Sequence, residues 1–104
     1  MAQFDVYPNP VEDLLTSHPY VVQIQSRFLK RPMAVIAVPL ARLVAGSVPV
    51  AVLNPRFDIG GETVVLETLG VGSFEPGDLR RPVANLRADA NAIWSALDYA
   101  LHGY

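Results

Sequence analysis

Few residues in this 104-residue chain carry the chemistry of a catalytic centre. There is no cysteine, which excludes thiolate catalysis and disulfides. His18 and His102 stand far apart, without the close spacing of metal ligands, so no metal site is expected. Ser17 and His18 are adjacent, but a nucleophile and its base rarely come from neighbouring positions, and a solvated loop is the expectation. The glycines of "IGGE" lack the Lys-Ser/Thr that completes a phosphate loop. Arg80-Arg81 suggests a small basic patch, yet Glu75 and Asp78 precede it, so a solvated turn is preferred. Trp94 reads first as the edge of a packed helical stripe and second as a binding anchor. These residues fit a binding protein better than an enzyme, with no catalytic residues and no cofactor.

Composition narrows the class further. Hydrophobic residues make up 51% of the chain and charged ones 17%, which argues for a folded domain rather than a disordered one. The net charge of −2 speaks against a nucleic-acid surface, which needs a basic excess. "MAQFDVY" has no basic region followed by an apolar run, so no signal peptide is expected. "MAVIAVPLA" is far shorter than the roughly 20 residues of a membrane span. The expectation is one soluble domain, 1–104, in the cytoplasm.

Any binding surface must be positioned by short strands and one helix. "QFDVY" alternates, with Phe4 and Val6 on one side and Gln3, Asp5 and Tyr7 on the other. "PNPVEDLLTSHP" reads as loop. "YVVQIQS" alternates again, with Tyr20, Val22 and Ile24 inward and Gln23 and Gln25 outward. "MAVIAV" reads as a strand buried on both faces and ended by Pro39. "LARLVAG" suggests one or two helical turns stopped by Gly46. In "PRFDIGGETVVLET", Gly60-Gly61 predicts a two-residue hairpin in which Ile59 faces Glu62 and Phe57 faces Val64. Phe57, Ile59, Val64 and Leu66 then share one face. "LGVGSFEPGD" reads as loop and "RPVANL" as a last short strand. From Asp89 the period becomes helical: Ala90, Ile93, Leu97, Ala100 and Leu101 form a stripe, with Asp89 preferred over Asn85 as N-cap and Gly103 as terminator.

The segments "QFDVY", "VQIQS" at 22–26, "AVPLARLV" at 37–44, "FDIGGE" at 57–62 and the glycine-ended terminal helix together resemble the CcdB family, from end to end at nearly constant spacing. That family comprises toxins of toxin–antitoxin systems. The resemblance implies a mostly β fold, an SH3-like antiparallel barrel with a C-terminal helix, assembled as a homodimer. It implies a protein that binds the A subunit of DNA gyrase and traps the cleaved-DNA complex of that enzyme without catalysis. It also implies a CcdA-like antitoxin, with which the toxin binds operator DNA and represses its own operon.

The family's gyrase contacts map onto Asp98, Leu101, His102, Gly103 and Tyr104. Gly103 matches, and Tyr104 keeps the large apolar character of the last position. Asp98 replaces an asparagine and Leu101 an aromatic. His102 stands where the family has tryptophan. A tryptophan face on a gyrase arginine is worth about 0.5–2 kcal/mol. Imidazole is smaller, and a helix C-terminus favours its protonated form, which would repel arginine. Trp94 is no substitute, lying about 12 Å back along the helix. The surface shared with the antitoxin maps onto Phe28 and Leu29. Two alternatives stand beside this reading: a toxin of the same fold that has lost gyrase poisoning or has another target, and a MazF-like endoribonuclease using Arg27 and Arg31 near Ser26.

Overall fold

A computed structural model describes residues 2–26, 28–29 and 33–103. Among the described residues, seven strands form one antiparallel sheet: β1 (Asp5–Pro8), β2 (Tyr20–Gln23), β3 (Val35–Arg42), β4 (Arg56–Ile59), β5 (Glu62–Leu66), β6 (Gly72–Phe74) and β7 (Ala84–Asn85). Helix α1 (Ala90–His102) follows them. The sheet runs β4-β5-β3-β2-β1-β7, with β6 added to the first half of β3. It curls far enough that Phe57 and Ile59 at one end share a core with Phe4, Leu86 and Ile93 from the other. The result is a nearly closed barrel with a C-terminal helix, the architecture expected.

The hairpin has the predicted register, Ile59 opposite Glu62 and Phe57 opposite Val64. Gly60 and Gly61 both take positive φ, +59° and +84°, as a tight turn of this hand demands. Phe57, Ile59, Val64 and Leu66 are all buried in the main core.

Elsewhere several expectations need correction. Pro39 does not end its strand: β3 continues to Arg42, and no helix forms over 40–46. The reason lies in the neighbours. β6 pairs with residues up to Ala37 and β5 from Leu40 onward, so Pro39 sits where they leave a gap. Its carbonyl accepts from Glu67 N (2.9 Å) on that side, and a missing N–H there costs no ladder bond. The segment read as loop, 69–78, contains β6, which exists only because β3 offers it an edge.

The clean in/out alternation of β1 and β2 also fails. Tyr7, Val21, Val35, Ala37 and Leu79 form a second buried cluster on the opposite face, with Phe74 packed against it. Gln23 is buried on β2 rather than outward, its Nε2 donating to Gln25 O (3.0 Å). β1 starts at Asp5, and Phe4 lies in a turn with φ +70° while remaining buried.

Asp89 takes the N-cap position as preferred but makes no cap bond, while Asn85 bonds the turn before it. Asn85 Oδ1 accepts from Arg87 N (2.8 Å) at a 3₁₀ turn, Arg87–Asp89, and Asp89 immediately precedes α1 without a side-chain cap bond. Gly103 ends the helix in the left-handed conformation, φ +83°, its N–H donating to Tyr99 O (2.9 Å).

Candidate functional site: the outer half of the terminal helix

Helix α1 packs only its first half on the barrel. Ile93 and Ala96 are fully buried, and Leu97 is half-buried. Ala100 and Leu101, read as members of the core stripe, are exposed, because the helix runs beyond the sheet that covers its start. What their side chains line instead is an open apolar groove of about 450 Å³. Ile24 and Ile36 from the ends of β2 and β3, Leu69 and Val71 around β6, and Trp94 and Leu97 from α1 form its walls. Asp98 and Leu101 complete it toward the helix tip.

The predicted site residues divide into three groups. Asp98 and Leu101 are brought together in the groove; Leu101 is 75% exposed. His102 is the last helical residue and Gly103 its left-handed terminator, both exposed at the tip, while Tyr104 lies outside the described residues. Phe28 and Leu29 do not line the groove. They occupy the loop after β2, 77% and 57% exposed, four and five residues beyond the groove residue Ile24. Ser26 Oγ accepts from Phe28 N (3.1 Å) there. Arg27 and Arg31, the pair on which a ribonuclease reading would rest, lie outside the described residues.

Trp94 sits at the edge of the packed stripe, as expected, and part of it remains exposed. The indole makes a T-shaped contact with Phe4 at 5.4 Å between ring centroids and 70° between planes, and Trp94, 40% exposed, also lines the groove. Sequence reasoning misses the other groove walls because they come from separated segments. The available signal is the set of large apolar residues in "LGV", which a solvated loop would not carry.

Ser17 and His18 are better ordered than a solvated loop. Ser17 Oγ lies 2.7 Å from His18 Nδ1, and His18 Nε2 pairs with the Glu67 carboxylate, 49 positions away. Arg42 adds bonds to the carbonyls of Ser17 (2.9 Å) and Thr16 (2.8 Å). This network ties the 9–19 loop to the barrel. A smaller cavity of about 230 Å³ beside it is lined by Arg42, Asn54 and Glu67, each already bonded within the protein. Arg80 and Arg81 are exposed, with Arg80 Nε donating to Gly77 O (2.7 Å), in keeping with a solvated turn. Among the described residues no three His, Asp or Glu side chains group to hold a metal, and no helix is long and apolar enough to cross a membrane.

A barrel of this topology, closed by a glycine-terminated helix, is the arrangement that the family resemblance implies, and the model of the CcdB protein family matches residues 3–103. The chain belongs to the CcdB family. The match covers both the barrel and the whole helix with its terminating glycine. A comparison with curated proteins finds no match.

Proposed function

We propose that this chain is the toxin of a type II toxin–antitoxin module, a single domain over 1–104 acting in the cytoplasm. It binds the A subunit of DNA gyrase and traps the cleaved-DNA complex, a poisoning of another enzyme rather than catalysis of its own. The observation that carries the proposal is the family match from residue 3 to residue 103. Asp98, Leu101, His102, Gly103 and Tyr104 form the gyrase contact. The exposure of the helix tip beyond the barrel supports that assignment. Added to gyrase and DNA, the purified protein is expected to accumulate double-strand breaks; none at high molar excess defeats the reading.

The same protein is a homodimer. Exposed Ile36, Leu69, Val71 and Trp94 line one apolar groove of the kind that marks a protein–protein contact. A CcdA-like antitoxin covers the exposed Phe28 and Leu29, and the complex of the two represses its operon by binding operator DNA. Replacing Phe28 and Leu29 together with aspartate is expected to abolish antitoxin binding, read by calorimetry, while the urea midpoint stays in place. Undiminished affinity refutes the assignment.

One observation favours a second reading. His102 stands exposed at the end of α1 in the position of the family tryptophan, so a smaller imidazole replaces the flat indole face that would meet a gyrase arginine. In this reading the fold and antitoxin persist but gyrase is no longer the target. Toxicity in cells whose gyrase resists CcdB separates the two: death there favours a different target, and survival only there favours gyrase.

A further inference from the structure

Phe4 combines three features that ordinary core packing does not require together. It is an aromatic residue in the left-handed region, φ +70°, where a side chain is disfavoured. Its backbone is held from both sides: its N–H donates to Gln23 O (2.7 Å) and its carbonyl accepts from Leu86 N (2.9 Å). The turn around it is closed by Asp5 N on Ala2 O (3.0 Å) and Ala2 N on Asp5 Oδ2 (3.1 Å). A glycine would satisfy this backbone without strain, so the ring must supply what the conformation costs. The ring is buried, and its aromatic contact is the edge-to-face one with Trp94.

Trp94 projects from α1 at the rim of the groove, part in the core and part in solvent. An indole held by a ring contact keeps one orientation, whereas a free one can swing across the groove and occupy it. We propose that Phe4 is a positioning residue for the partner-binding groove: its left-handed turn sets the ring in T-shaped contact with Trp94 and fixes the indole as a groove wall. The proposal rests on the reading of the groove as the dimer surface. A wall already in its bound orientation loses less freedom on association, so affinity rises without any contact between Phe4 and the partner.

Trp94 is the only tryptophan in the chain, so its fluorescence reports this side chain without a label. The test uses full-length wild type, Phe4→Leu and Phe4→Tyr, each also made with Trp94→Leu, under conditions where urea titration shows all to be folded. Phe4→Leu is expected to add fast local motion to the time-resolved anisotropy of Trp94. It should also raise the dimer dissociation constant about threefold to tenfold, the range for losing one aromatic pair. Phe4→Tyr should restore both values. In the Trp94→Leu background Phe4→Leu should change the dissociation constant by less than about twofold, since the coupling partner is gone. Equal weakening in both backgrounds, or unchanged Trp94 motion in Phe4→Leu, overturns the proposal. If the wild type stays monomeric, the dimer reading fails on its own. Trp94 motion then decides the Phe4 coupling, with fast motion in Phe4→Leu retaining it and unchanged motion removing it.

Discussion

The inner half of α1 places Ile93 and Ala96 in the main core with no exposed surface, while the outer half carries Leu101 and Ala100 into solvent. Both halves belong to one helix with one apolar period, and the period alone does not distinguish them. What distinguishes them is the extent of the sheet beneath. An apolar residue over the barrel contributes to stability, and the same residue type beyond its edge can contribute only when something else covers it. On the proposed function the outer half is where stability and binding separate, and substitutions along α1 should show a gradient from one to the other.

The steepest effect is expected at Ile93. Truncation to alanine opens a cavity in the main core and should cost about 2–5 kcal/mol in urea unfolding. A loss below about 1 kcal/mol would mean that the inner half is not anchored as described.

The second buried cluster lies on the other face of the sheet, is built from strand and loop residues, and supplies an independent check. There, burial, with a further contribution from the nearby Asp5 carboxylate, pushes the Tyr7 hydroxyl up to about 12 from its ordinary 10. The folded state thus holds this proton more tightly than the unfolded chain does. Its contribution is intact below about pH 10 and is lost as pH rises from about 10 to 12, up to about 2–3 kcal/mol in all. Tyr7→Phe should flatten that alkaline decline, measured by urea midpoints from pH 9 to 12, and Ile93→Ala should leave its slope unchanged.

Smaller effects belong to the tip. Gly103→Ala forces a side chain into φ +83° and should cost about 1 kcal/mol or less, seen as fraying of the last turn in hydrogen exchange. Leu101→Lys should leave stability within about 0.5 kcal/mol, because the residue is exposed and a cation suits a helix C-terminus.

The parts of the fold legible in the sequence are those written locally. Gly60-Gly61 between alternating runs specifies a hairpin and its register. The change of period after Asp89 and the glycine at 103 specify the helix and its end. Pro39 misleads because the harmlessness of a missing N–H depends on where two other strands stop. Tyr7 misleads because its outer face is covered by a segment some 65 or more positions away, including Phe74 and Leu79. The site follows the same division. Leu101, His102 and Gly103 can be placed from the end of the helix alone. Ile24, Ile36, Leu69 and Val71 become groove walls only once the barrel brings four segments together.

If the outer half of α1 is a contact surface for gyrase that contributes little to the fold, binding and stability must come apart at Leu101. The decisive experiment titrates the A subunit of DNA gyrase with wild-type protein and with Leu101→Lys by calorimetry, beside matched urea curves. Binding by the wild type, binding weakened at least about tenfold in the variant, and superimposable unfolding are the expected results. Equal binding by both proteins, or a variant that fails by unfolding, would show that the outer half has no such role.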